Sequence, residues 1–254
     1  MYSILYFSPT GNAFYLAKKL KSHLGDDSID ILPLEFSKIE ELKKNKHLIV
    51  LYPVHGFNAA RTVKRFIKNL PGQLYDDVSL IGVGCTTSWL NHGVSHDLRK
   101  PLIKKGYSIV VDEILSMPLT FIMAFPDEVA RRLIDESEAK MKDIASSIID
   151  RKISDNDVKI KSKVINSVGK IEQGAARLFG LELHANKNCT SCGICWRNCP
   201  EGNIKSKKKN KPKFGVNCLM CMRCIYNCPE KAISPRFSKF IPIKKGYSIL
   251  SFVE

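Results

Sequence analysis

Through its first 150 residues the chain alternates short apolar runs with segments whose apolar residues recur every three or four positions. That is the pattern of strands and helices alternating around a parallel sheet. The apolar runs predict strands at 2–7, 29–34, 47–52, 78–84 and 107–115. Helices are expected from the loop 8–13 to about residue 24, over 38–44, over 59–70, around 94–104 and from Pro126 to about 150. Val63, Phe66, Ile67 and Leu70 share one face of the third of these. Pro126 before Asp127 and Glu128 suits a helix start, and Val129, Leu133, Met141, Ile144 and Ile148 mark the inner face of that last helix. Five strands with intervening helices favour an α/β doubly wound parallel sheet of order 2-1-3-4-5. A dinucleotide-binding sheet is the alternative, but it wants G-x-G-x-x-G after strand one, where this chain has only Gly11.

Beyond residue 150 the pattern changes. Residues 151–163 are charged and poor in large apolar side chains, as in a linker. Val164, Val168, Ile171, Ala175 and Leu178 then recur at helical spacing, with Phe179 beside them. They predict either a helix that docks one domain on another or a plain core helix. The tail alternates apolar and polar positions through Phe240, Ile241, Ile243, Tyr247, Ile249, Leu250 and Phe252, so an added strand is expected there. The division is therefore a sheet domain over 1–150, a linker and docking helix over 151–180, a cysteine-rich domain over 181–235, and a tail over 236–254.

Eight of the nine cysteines lie between Cys189 and Cys228. Cys189, Cys192, Cys195 and Cys199, and again Cys218, Cys221, Cys224 and Cys228, read C-x2-C-x2-C-x3-C-P, an internal repeat offset by 29 residues. Three thiolates spaced by two residues can wrap one face of a cuboidal iron–sulfur cluster, and the fourth, past its own cluster's reach, crosses to the other. This assigns Cys189, Cys192, Cys195 and Cys228 to one [4Fe–4S] cluster and Cys218, Cys221, Cys224 and Cys199 to a second. Zinc is the competing reading, though its sites use separated C-x2-C pairs without the C-P ending. Disulfides would need a secretory context. The segment resembles the bacterial two-cluster ferredoxins, a small α+β ferredoxin-like domain. Ile204 and Ile233, equivalent after the two C-P turns, are expected to pack against the clusters.

Composition narrows the setting. The N-terminus has no basic region or cleavage site, and no stretch is long and apolar enough to span a membrane. Clustered thiolates need a reducing compartment, so a cytoplasmic protein of an anaerobe is expected. The formal charge is +15 and the pI about 9.4. Nucleic acid is one reading of that charge, but cluster thiolates would remove part of it. The lysines are spread along the chain, densest at Lys205, Lys207, Lys208, Lys209, Lys211 and Lys213. A solvated loop is the plain reading of that run, and a docking patch for an acidic redox partner the sharper one. No interleaved aromatic residues argue for nucleic acid.

The loop after strand one, Ser8-Pro9-Thr10-Gly11-Asn12-Ala13, decides the ligand. It resembles the flavodoxin phosphate loop S/T-x-T-G-N-T, and the domain is accordingly read as flavodoxin-like. Hydroxyls of Ser8 and Thr10 and backbone N–H groups near Gly11 and Asn12 can face one phosphate at a helix N-terminus. Without a lysine in the loop a nucleoside triphosphate is disfavoured, and FMN is the cofactor the resemblance implies. Ala13 departs from the pattern and removes a donor, and Pro9 has none to give. Ring contacts are expected from the loops after strands three and four: Pro53, Val54, His55, Gly56 and Phe57 in one, Cys85, Thr86, Thr87 and Trp89 in the other. His55, Phe57 and Trp89 are the candidates for stacking on the ring. Cys85 is as well explained by packing at a strand end, and His92 and His96 by positions near a helix start.

Together the two parts resemble the flavodoxin–ferredoxin fusion proteins of anaerobic bacteria and archaea. Residues 53–57 and Met117-Pro118 share that likeness, although Leu119-Thr120 stands where Asp-Asn is common in the family. The resemblance implies electron transfer between two low-potential clusters and FMN, serving redox partner proteins. The alternative is an FMN-dependent reductase of a small-molecule substrate fed by its own clusters, for which His55 is the candidate proton donor. No acid/base pair marks a substrate site.

Overall fold

The computed structural model describes residues 2–42, 45–86, 93–153, 160–206 and 211–253. The first unit runs β1 (Tyr2–Tyr6), α1 (Asn12–Leu24), β2 (Asp30–Pro33), β3 (His47–His55), β4 (Asn58–Ala59), α2 (Arg61–Asn69), β5 (Asp77–Gly84), α3 (His96–Lys104), β6 (Ser108–Ser116) and α4 (Asp127–Ile149). Five strands pair in parallel in the order β2-β1-β3-β5-β6, the doubly wound order of a flavodoxin-like fold.

Both faces of this sheet are covered, so its strands are almost continuously apolar. Ile4, Ile49, Leu51, Ile81 and Val83 face α1 and α4, while Leu5, Leu48, Val50, Tyr52 and Leu80 face α2 and α3. The alternation breaks once, in β6. Between the pairs Val78↔Ile109 and Leu80↔Asp112 that strand carries one extra residue, and the neighbours Val110 and Val111 fall in the same core. The bulge re-aims the side chains beyond it. Asp112 is buried, accepting a hydrogen bond from Ser95 at 2.6 Å and pairing with Arg99 at 2.7 Å.

The chain goes on through α5 (Ile160–Glu182), β7 (Leu183–Ala185), α6 (Ile194–Arg197), β8 (Ile204–Lys205), β9 (Lys213–Phe214), α7 (Arg223–Tyr226), β10 (Ile233–Pro235) and α8 (Leu250–Val253). β7 pairs antiparallel with β10 and β8 with β9, making a small α+β region. Its internal repeat is visible in the backbone. Ser191 and Met220 take equivalent left-handed conformations, as do Gly193 and Met222.

Several expectations need correction. The 38–44 helix is a single 3-10 turn at Ile39–Glu41, with residues 43 and 44 outside the described residues. The loop after strand three is a hairpin: β3 runs on to His55, Gly56 and Phe57 both have positive φ, and β4 pairs back on it. The buried stripe of α4 is offset, using Ala130, Ile134, Ser137, Met141, Ile144 and Ile148, while Val129 and Leu133 are only half-buried. Helix α5 starts inside the expected linker, and residues 154–159 lie outside the described residues. Its expected docking stripe faces solvent. Ile171 is 75% exposed and Leu178 62%, while Phe179 is buried; the side chains of Val164 and Val168 are outside the described set. The tail forms turns and α8 rather than a strand. It returns to the sheet unit, where Ile249 joins the α1–α4 core. In the lysine run, Lys207, Lys208 and Lys209 lie outside the described residues, as does His92.

Candidate functional site

Two cavities open among the cysteines. One is lined by Cys189, Cys192, Cys195 and Cys228, the other by Cys199, Cys218, Cys221 and Cys224. The fourth cysteine of each run therefore stands with the first three of the other. Ile233 lines the first cavity and Ile204 the second. The turn that carries each fourth cysteine supplies an N–H donor to it: Asn203 to Cys199 Sγ and Ala232 to Cys228 Sγ, both at 3.3 Å and 29 residues apart. Met220 N–H reaches Cys218 Sγ at 3.2 Å. Such donors stabilise negative charge on sulfur. Burial pushes the thiols the other way, Cys195 to about 11 and Cys221 to about 12, with Cys224 also well above its usual value. A bound metal reverses that preference, because a coordinated thiol is deprotonated. Among the described residues no three His, Cys, Asp or Glu side chains converge on the point of a single ion. Ligands of a cuboidal cluster each hold a different iron and stand further apart.

A third pocket lies at the carboxyl ends of β1, β3 and β5, where open sheets bind ligands. Of the residues expected there, Ser8, Thr10, Asn12, Ala13, Pro53, Val54, His55, Gly56 and Cys85 line it. Gly11, Phe57 and Thr86 do not, and Thr87 and Trp89 lie outside the described residues. Gly11 caps α1 with φ 105°, so a Cβ there would be strained and 2.9 Å from the Ile249 side chain. Ser8 Oγ accepts the N–H of Phe14, leaving its own O–H free to donate. The N–H groups of Asn12 and Ala13 have no protein partner among the described residues. No acid lies in the first turn of α1. This donor set suits a single phosphate. The Asn12 side chain is committed elsewhere: it donates to Pro118 O at 3.1 Å and accepts from Tyr247 O–H at 2.6 Å.

Other walls were not assigned to this pocket from the sequence. They come from Leu119, Thr120 and Phe121, from Glu172, Gln173 and Ala176 of α5, and from Leu219, Met220 and Cys221. Leu219, Met220 and Cys221 also line the second cysteine cavity, so the two spaces share a wall. The enclosed volume is about 90 Å³, below the few hundred Å³ usual for ligand pockets. A tricyclic ring requires these walls to stand further apart. His55 is half-buried, and desolvation lowers its pKa to about 4, with Arg61 and Lys64 acting in the same direction. At neutral pH its imidazole is uncharged.

Polar and glycine contacts hold the cysteine region on the sheet unit. Arg61 donates to Asn217 O and Cys218 O; Thr62 and Arg65 both reach the buried carboxylate of Glu201. Arg223, between Cys221 and Cys224, donates to Ser8 O at 3.1 Å and lies 2.5 Å from the buried Glu35 carboxylate. Gln173 of α5 donates to His55 O and Ala59 O. One turn earlier, Gly169 lies so close to the hairpin that any Cβ would collide with Gly56 O; Gly180 stands likewise against Gly215 O. No sequence periodicity marks these positions, since the contacting face of α5 is small and polar.

Residues 188–233 match a family model described as a 4Fe-4S dicluster domain. A comparison with curated proteins finds no match. Among solved structures the chain is similar to a flavodoxin from the domain Archaea, at 15% identity over 59% of this chain and 99% of that one, with a TM-score of 0.40. It is similar to Fusobacterium nucleatum flavodoxin bound to flavin mononucleotide at 15% identity, 59% and 98% coverage and a TM-score of 0.44. The values for oxidised flavodoxin 2 of Bacillus cereus are 19%, 59%, 98% and 0.43. The chain joins an N-terminal flavodoxin-like fold to a C-terminal region of the 4Fe-4S dicluster type.

Proposed function

We propose that this chain is a cytoplasmic electron-transfer protein that holds two [4Fe–4S] clusters and FMN and so links one-electron carriers to a two-electron carrier. The observation that carries this reading is the shared wall: Leu219, Met220 and Cys221 bound both the second cysteine cavity and the pocket at the phosphate-type loop. When bound, the clusters supply single low-potential electrons and the flavin a store for one or two.

The chain's own residues fix positions and potentials. Cys189, Cys192, Cys195 and Cys228 hold one cluster and Cys199, Cys218, Cys221 and Cys224 the other. Backbone N–H groups of Asn203 and Ala232 stabilise charge on the two crossing sulfurs. Ser8, Thr10 and the N–H groups of Asn12 and Ala13 would receive the flavin phosphate, with residues of the loops 53–56 and 118–121 available to hold the ring. Arg61, Arg65 and Arg223 clamp the second-cluster loop on the sheet unit, and α5 sets the spacing of the two domains, 1–150 and 181–235. A reductase of small molecules would present an open cleft where residues 172–176 and 219–221 close this pocket.

Anaerobic purification followed by iron, sulfide, zinc and flavin analysis tests the cofactors, with about eight irons and one FMN per chain expected. Rapid mixing with a one-electron donor should then reduce clusters and flavin in the same molecule at a rate independent of protein concentration. Zinc in place of iron, or flavin reduction that needs a second protein, overturns the reading.

A further inference from the structure

The second cysteine cavity shares a wall with the pocket of the sheet unit; at the first, Cys192 is exposed. Beside the first lies a groove of about 810 Å³ between the start of α4, β10 and the tail. Ile233 lines both groove and cavity, so one side chain separates them. The turn that offers Ala232 N–H to Cys228 Sγ also places Lys231 on the groove. Lys239, Lys244 and Lys245 line it too. All four lysines are exposed, and none has an ion-pair partner among the described residues. Asp127 is the one acid in the lining. From Leu181 to Glu254 there are fourteen basic residues against four acidic ones. Two clusters at about −2 each when oxidised would leave that region positive. Phe237 and Phe240 stand exposed on the same stretch of tail, at 83% and 69%.

We infer that this groove is the docking site of an acidic one-electron carrier protein of the ferredoxin type, an inference that rests on the electron-transfer reading above. Four solvated lysines hold a small anion weakly, whereas a partner with an extended acidic face gains from all four at once and is steered in from solution. The exposed phenylalanines add an apolar contact at the rim. In each encounter the carrier loses one electron and the first cluster gains it; no bond forms and no proton moves.

The test uses anaerobic holoprotein and, as probe, a strongly acidic bacterial two-[4Fe–4S] ferredoxin. Its Kd and the second-order rate constant of reduction by its reduced form are measured at low and at moderate salt. The triple variant Lys231→Glu, Lys244→Glu, Lys245→Glu should lose at least ten-fold in both, and most of its salt dependence. The control Lys104→Glu, Lys140→Glu, Lys142→Glu has the same charge change on α3 and α4 and should stay within two-fold of wild type. Reduction by dithionite, which needs no docking, should be equal in all three. The neutral variants Lys231→Gln, Lys244→Gln, Lys245→Gln serve if charge reversal impairs folding, with an intermediate loss expected. Equal losses in groove and control variants, or wild-type binding insensitive to salt, overturn the docking site. So does a single-stranded DNA oligonucleotide that binds through these lysines while the ferredoxin does not. Absence of iron in the wild type would instead refute the electron-transfer reading itself.

Discussion

Helix α5 offers a test in which one substitution should have opposite signs at two positions. Gly169 and Gly174 both lie in the helix interior. A Cβ at Gly174 meets nothing within 4 Å, whereas a Cβ at Gly169 would overlap Gly56 O and come within 2.6 Å of Asn58 Nδ2. Glycine to alanine in an open helix position gains up to about 1 kcal/mol from propensity, so Gly174→Ala should stabilise. At Gly169 the obstacle is backbone, which cannot swing aside, so the helix must move off the hairpin. Overpacking of that kind costs about 1–3 kcal/mol. The movement also stretches the bonds from Gln173 to His55 O and Ala59 O, each worth about 1 kcal/mol. After the propensity gain, Gly169→Ala should destabilise by about 2–4 kcal/mol. At about 2–4 °C per kcal/mol for a chain this size, the midpoint should fall by roughly 5–15 °C. Scanning calorimetry of the anaerobic holoproteins, with FMN affinity measured alongside, gives both signs. Because α5 also walls the flavin-type pocket, Gly169→Ala should weaken FMN binding while Gly174→Ala leaves it unchanged. Equal midpoints for the two variants would refute the close approach of α5 to the hairpin. Ile171→Glu, on the exposed stripe, should change stability by no more than about 0.5 kcal/mol.

Four further outcomes are expected. Thr10→Val should raise the Kd for FMN about ten-fold in a flavin fluorescence titration, because one phosphate oxygen loses a donor. Cys189→Ala with Cys228→Ala should retain about four irons per chain, whereas Cys218→Ala with Cys228→Ala should retain almost none, since the latter pair spans both clusters; equal iron in the two would contradict the crossing. Glu35→Ala should cost about 3–5 kcal/mol in chemical unfolding, because it strands the buried Arg223 guanidinium. His47 is buried against Ser79, and burial lowers its pKa to about 4. The unfolded chain then binds more protons between about pH 6.5 and 4, so stability is full above that window and falls as pH drops through it. His47→Gln should shrink the loss between pH 7 and 5, as read from denaturant midpoints.

Regular spacing is what a sequence displays, and the sheet, its order and the paired cysteine runs were all legible from it. Continuous apolar runs report burial on both faces of β1, β3 and β5, because covering helices demand it whatever their exact placement. The cysteine spacing led to the expectation that Cys199 and Cys228 cross between the two runs, and each lines the cavity of the other run's first three cysteines. Tertiary structure alone decided how the parts meet. The stripe through Ile171 and Leu178 promised a docking face, yet it faces solvent. The contact runs through Gly169, Gln173 and Gly180, whose small or polar side chains carry no hydrophobic signal. Close backbone approach needs the absence of a side chain, and periodicity cannot register an absence. The shared wall of Leu219, Met220 and Cys221 is of the same kind. Their places in the second cysteine run are set by local spacing, but their second role depends on where Arg61 and Arg223 anchor that run, the first of these more than a hundred residues away in sequence.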